Sequence, residues 1–185
     1  MSLPAIHFSS LTLAERVRRA IATNGGAQQA PPSPPATALL LDISGSMAED
    51  CEPGLAKIQA LREIVPTVVT GRTAVYSFNS SVRRIRAIAI PSPQGYTMMA
   101  QAFRELKRDS HTSAVLITDG LPYPDTESEV LEAAQGLHLT IFYVGPPPKP
   151  VLLDKLAHQT GGQAHQSSLR KTKELTVAIR GLLGP

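Results

Sequence analysis

The segment Asp42-Ile43-Ser44-Gly45-Ser46 offers one carboxylate and two hydroxyls within a single short loop, and Gly45 lets the backbone turn tightly between the hydroxyls. Oxygen donors of this kind suit a hard cation. Mg2+ asks for near-octahedral oxygen at about 2.0–2.1 Å, keeps several waters and usually takes only one or two protein carboxylates. One loop cannot complete that octahedron, so further donors are expected from other segments. Ala114-Val115-Leu116-Ile117-Thr118-Asp119-Gly120 repeats the pattern of an apolar run closed by a carboxylate and a glycine. Thr97 follows the loop 91–96 and opens a helical pattern, which is expected to bring its hydroxyl to a helix N-terminus.

These residues need elements to carry them. Ala38-Leu39-Leu40-Leu41 has no polar alternation and reads as a central parallel strand covered on both faces. In open α/β sheets, ligands sit beyond the carboxyl ends of such strands. After the first loop, Leu55, Ile58, Leu61, Val65 and Val68 predict a helix with Lys57, Gln59, Arg62 and Glu63 on its far side, kinked or ended early by Pro66. Residues 73–78 read as a strand, 79–81 as a turn and 82–90 as a strand returning antiparallel, with Arg83, Arg84 and Arg86 guarding an edge. Met98, Met99, Ala102, Phe103 and Leu106 stripe the helix after Thr97, the methionines serving as core filler. Strands at 113–118, 139–144 and 163–165 alternate with helices at 127–135 and 151–159 and a last helix through Leu175, Ile179, Leu182 and Leu183. The expected fold is α/β and Rossmann-like: a doubly wound, mostly parallel sheet with one antiparallel edge strand and helices on both faces.

Asp42-x-Ser44-x-Ser46, then Thr97, then Asp119-Gly120, resembles the metal-ion-dependent adhesion site of von Willebrand factor A domains in order and approximate spacing. The tail adds to the resemblance: Leu139 to Gly145, followed by Leu153 to Gly162 with its Thr160-Gly161-Gly162 ending, is similar to the family's fifth strand and following helix. One departure is Gly95-Tyr96-Thr97 where the family often has Gly-Gly-Thr, and the bulky Tyr96 either narrows a ligand's approach or forms part of its docking surface. The resemblance implies that Ser44 and Ser46 bind the ion directly, Thr97 directly or through water, and Asp42 and Asp119 largely through water. An ion with so few direct carboxylates stays electron-poor and takes one more anionic oxygen from outside, an Asp or Glu of a protein partner. Mg2+ is the expected cofactor, with Mn2+ and Ca2+ as alternatives that also accept oxygen donors. Stand-alone intracellular members of the family imply an adaptor for an AAA+ ATPase or a subunit of a bacterial or phage multiprotein assembly.

Composition bounds the other classes. A chain of 185 residues with 42% hydrophobic content fits one domain, at 36–185, preceded at 1–35 by an amphipathic helix and a Pro-rich linker. In the helix at 12–21, Leu13, Val17, Ala20 and Ile21 oppose Arg16, Arg18 and Arg19. A net charge of +3 is too weak and too scattered for a nucleic-acid signature. There is no run of about 18 apolar residues to span a membrane. The lone Cys51 and the lack of a signal-peptide core lead to the expectation of a reducing, cytoplasmic setting.

Two alternatives stand beside the interaction module. Asp42 beside Mg2+ is superficially similar to an aspartyl-phosphate phosphatase, but Ser44 stands where that chemistry wants a second carboxylate, and no lysine falls at a matching strand end. The chain is therefore expected not to be an enzyme. An architectural subunit with a structural metal site is the other alternative. His7, His111, His138, His158 and His165 are scattered without metal-ligand spacing and read as surface or structural residues.

Overall fold

The computed structural model describes residues 37–183, so the expected N-terminal helix and linker lie outside the described residues. The described residues form eight strands and five α-helices: β1 (Ala38–Asp42), β2 (Asp50–Glu52), β3 (Leu55–Ala56), α1 (Lys57–Val68), β4 (Val75–Phe78), β5 (Val82–Ile85), α2 (Met99–Arg108), β6 (Ser113–Thr118), α3 (Glu127–Ala134), β7 (His138–Tyr143), α4 (Val151–Gln159), β8 (Gln163–Gln166) and α5 (Thr172–Leu183). Six strands form one sheet in the order β5-β4-β1-β6-β7-β8, while β2 and β3 make a separate hairpin. Every neighbouring pair in the large sheet is parallel except β4–β5. The doubly wound α/β fold expected from the sequence is therefore present. The chain crosses from one half of the sheet to the other between β1 and β6, whose C-terminal ends carry Asp42 and Asp119.

Strict alternation on buried strands splits the core in two. Leu40, Tyr76, Leu116 and Ile141 pack with Met99, Phe103, Val130 and Leu153 of α2, α3 and α4 on one face. Leu39, Leu41, Val115 and Ile117 pack with Ile58, Leu61, Val68, Leu175 and Ile179 of α1 and α5 on the other. β1 is buried along its whole length, as a strand with helices on both sides must be.

Several boundaries differ from the sequence reading. The second strand of the edge hairpin stops at Ile85 rather than running to residue 90, because β4 begins at Val75 and the register pairs Val75 with Ile85, leaving no partner beyond. Ile88 is accordingly 81% exposed. Leu55 belongs to β3 and not to the helix, which starts two residues later at Lys57. Pro66 sits inside α1, which ends at Val68. The helix expected to open at Thr97 begins at Met99. In α5, Leu175 and Ile179 are buried as expected, whereas Leu182 is 42% exposed. No helix among the described residues is long and apolar enough to cross a membrane.

Candidate metal centre

Asp42 closes β1, and burial is complete at its side chain. Both carboxylate oxygens accept protein hydrogen bonds: Oδ1 from the Ser44 backbone N–H at 2.8 Å, Oδ2 from the Thr118 hydroxyl at 2.6 Å. Burial pushes the Asp42 carboxyl up to about 6, with the Asp119 charge adding to the rise, while the Thr118 and Ser44 donors pull the other way. After Asp42 the chain enters a short 3-10 turn, Gly45–Ala48, anchored by the buried Met47. That turn sets the two serines side by side, their hydroxyl oxygens 3.2 Å apart. The Ser46 hydroxyl donates to Asp119 Oδ1 at 2.8 Å. Asp42, Ser44, Ser46 and Asp119 thus form one hydrogen-bonded group across the ends of β1 and β6.

Thr97 reaches the same end of the sheet by a different device. It is buried just ahead of α2, and its loop is stitched to both neighbouring loops. Gly45 N–H bonds Gly95 O at 3.1 Å, Gln94 N–H bonds Ile43 O at 2.9 Å, and Thr97 exchanges two backbone bonds of 3.0 Å with Tyr123. Gly95 has φ +73°, and an added Cβ would meet Ser80 Oγ at 2.5 Å, so this tight crossing requires glycine. On the third loop Asp125 Oδ2 accepts the Ala100 N–H at 2.8 Å, capping the start of α2.

The sequence reading missed Lys57, which it placed on the far side of its helix. Lys57 is only 6% exposed and points into the site. Its ammonium donates to Asp119 Oδ2 at 2.7 Å, Glu49 Oε2 at 2.9 Å and Ser46 O at 3.2 Å. Burial pulls the ammonium down, but hydrogen bonds and charge from Asp119 and Glu49 outweigh it and hold Lys57 above its ordinary value. A signal was available: Lys57, Leu61, Ile64 and Val68 fall four, three and four apart, so Lys57 shares the buried stripe of α1.

Next to Thr97 and Asp119 the exposed side chains are apolar and aromatic. Tyr96 is 57%, Leu121 55% and Tyr123 63% exposed, and the two tyrosine rings meet edge to face with centroids 5.2 Å apart. Glu49 and Asp50 are exposed, Glu49 against the Lys57 ammonium, while Cys51 is half-buried and donates to Leu55 O at 3.2 Å across the small hairpin. Among the described histidines, His111 bonds the Tyr76 hydroxyl, His138 bonds Thr160 O and His165 stacks on Phe142.

The donor set is hydroxyl and carboxylate oxygen, the chemistry of Mg2+, Mn2+ or Ca2+ and not of a soft metal. Among the described residues no cluster of three or more His, Cys, Asp or Glu could hold a metal ion by such ligands alone, so the serines and the threonine would have to supply the balance. The Lys57 ammonium, held by two carboxylates and a carbonyl, shows that the centre already accommodates a positive charge.

The architecture is that of a von Willebrand factor A domain. Solved structures with the same fold include a von Willebrand factor type A protein from Catenulispora acidiphila, with TM-score 0.64 and 20% identity over 80% of this chain and 41% of that one. Another is an aerotolerance-related membrane protein from Bacteroides fragilis, with TM-score 0.56 and 12% identity over 80% of this chain and 97% of that one. Proximal thread matrix protein 1 from the mussel byssus aligns with TM-score 0.58 and 19% identity over 79% of this chain and 44% of its own. The chain thus spans less than half the length of two of these three structures. At such identities the likeness is one of fold. The sequence matches no family model and no curated protein.

Proposed function

We propose that the chain is a Mg2+-dependent protein-interaction module that captures an Asp or Glu of a partner. The observation that carries this reading is the hydrogen-bonded group of Asp42, Ser44, Ser46 and Asp119 at the point where the order of strands reverses, with the backbone of the Thr97 loop tied to the loops on either side. In this reading Ser44 and Ser46 would hold the ion directly, Thr97 directly or through water, and Asp42 and Asp119 largely through water. Mn2+ and Ca2+ are the alternative ions. The bound cation would supply an open, electron-poor position for a partner's carboxylate. Asp42 orients the first loop through Ser44 N–H, and Thr118 orients Asp42. Tyr96, Leu121 and Tyr123 then offer the apolar contact area that a carboxylate alone lacks, aromatic side chains being enriched at the energetic centres of interfaces.

The phosphatase alternative loses ground on geometry. An aspartyl nucleophile needs an oxygen open to its substrate, whereas Asp42 is wholly buried, each oxygen already accepting one protein hydrogen bond and keeping capacity only for a small neighbour such as a water. Lys57 does supply a cation, yet it binds Asp119, not Asp42. The reading is therefore a binding module in a cytoplasmic assembly, such as an adaptor for an AAA+ ATPase.

The test is capture from the host's lysate with wild type and Asp42→Ala, each in Mg2+ and in EDTA, with bound proteins identified by mass spectrometry. The expected result is a partner lost with either the mutation or the chelator. A partner retained in all four arms would overturn metal-bridged recognition.

A further inference from the structure

Lys57 is the first residue of α1, and its side chain runs inward beneath the loop that carries both serines. A buried lysine needs compensation, because desolvating an ammonium costs several kcal/mol unless it is paired. The compensation here is the carboxylate of Asp119, whose own side chain is fully enclosed. Asp119 Oδ1 is taken by the Ser46 hydroxyl and Oδ2 by Lys57. An ion entering the centre therefore meets a carboxylate already neutralised by an internal cation. Like charges a few ångströms apart in a partly desolvated site repel strongly, so the ammonium and a divalent ion disfavour each other there. Glu49, in contrast, is mostly solvent-exposed and holds the same ammonium at 2.9 Å. It offers Lys57 a partner that remains when Asp119 turns to another cation.

We infer that Lys57 is a tethered competitor of the metal ion: its ammonium occupies Asp119 and keeps the centre's affinity for divalent cations low. The inference rests on the metal-site reading above and adds to it a residue of this chain that sets how tightly the ion is held. Lys57 acts through Asp119 and is a positioning residue. A weakly held ion retains more of its charge for an incoming carboxylate, so partner and metal stabilise each other's binding. A purely structural ion pair would behave in the opposite way, since removing it would loosen Asp119 and weaken the site.

Isothermal titration of Mg2+ into wild type, Lys57→Met, Lys57→Gln and Lys57→Arg separates the two. Both neutral variants are expected to bind Mg2+ about tenfold or more tighter than wild type, the Coulombic consequence of removing a like charge. Lys57→Arg keeps the charge and is expected to stay near the wild-type affinity. Equal or weaker binding by both neutral variants, with unfolding midpoints matching wild type, would overturn the inference. NMR of wild-type protein carrying 15N-lysine provides a readout independent of the variants' folding: the Lys57 ammonium signal is expected to move as Mg2+ is added. A stationary signal while Mg2+ binds would also overturn the inference. No Mg2+ uptake by wild type or any variant would sink the metal-site reading itself, and this inference with it.

Discussion

Thr97 and Tyr123 exchange two backbone hydrogen bonds of 3.0 Å, one in each direction, and so lock the loop before α2 to the loop after β6. The consequence is a site whose second and third loops move together. The same pair places the rings of Tyr96 and Tyr123 in contact at the rim, which ties the apolar surface to the residue proposed to hold the ion.

Asp125 secures this pairing from below by accepting the Ala100 N–H at 2.8 Å. Asp125→Ala is expected to cost about 1 kcal/mol of stability, the usual value of a lost helix cap. Mg2+ affinity should fall with it, because the turn that follows Thr97 loses its side-chain tie to the third loop. Urea unfolding measures the first effect and calorimetric titration the second.

Thr118 is wholly buried and donates to Asp42 Oδ2 at 2.6 Å. Thr118→Val keeps the shape and removes the donor, leaving a buried carboxylate oxygen without it. The expected cost is about 1–3 kcal/mol, the desolvation penalty of an abandoned buried polar group. Thr118→Ser restores the hydroxyl and is expected to recover much of the loss, as read by chemical denaturation.

Tyr96→Ala and Tyr123→Ala remove side chains and leave the backbone pairing intact. Each is expected to weaken the partner about tenfold, roughly 1.4 kcal/mol, while Mg2+ affinity stays at the wild-type value. Surface plasmon resonance against the captured partner, beside metal titration, checks both. A fall in metal affinity alone would place these rings in the site's support and not in its docking surface.

At the far end of β4 the Tyr76 hydroxyl donates to Asp109 Oδ2 at 2.6 Å. That bond, with Arg108 and His111 nearby, holds the Asp109 carboxyl below its ordinary value. A depressed carboxylate contributes stability above its unfolded pKa and loses it as pH falls through the lowered folded value. Burial, with Asp109 adding, pushes the Tyr76 phenol up from 10.0 to about 12. Its contribution is complete below the unfolded value and is lost as pH rises through about 12. Tyr76→Phe is therefore expected to flatten both the acid and the alkaline limbs of the stability profile, measured by urea midpoints across pH.

The apolar runs of β1 and β6 announced themselves in sequence because strands buried on both faces carry near-continuous apolar residues. Asp42, Ser44, Ser46 and Asp119 were legible for a related reason: they interrupt those runs abruptly, and the fold brings the interruptions together. Thr97 was singled out by its place after a loop, and the fold brings its backbone to the same end of the sheet, although the helix begins two residues later than its pattern suggested. Lys57 was not found, because including Leu55 in the helical phase rotated the lysine toward solvent. Leu55 instead pairs across the β2–β3 hairpin, a register that depends on the turn through Pro53-Gly54 and on no hydrophobic period. The early end of β5 was equally hidden, since it is set by the length of β4 and not by its own residues.

Crystals grown with Mn2+ and a short acidic peptide, measured at the manganese absorption edge, test the central claim most directly. The expected result is one anomalous peak beside Ser44, Ser46 and Thr97, with only oxygen ligands and a peptide carboxylate among them. Density showing Lys57 still bonded to Asp119 and no anomalous peak between the loops would contradict it.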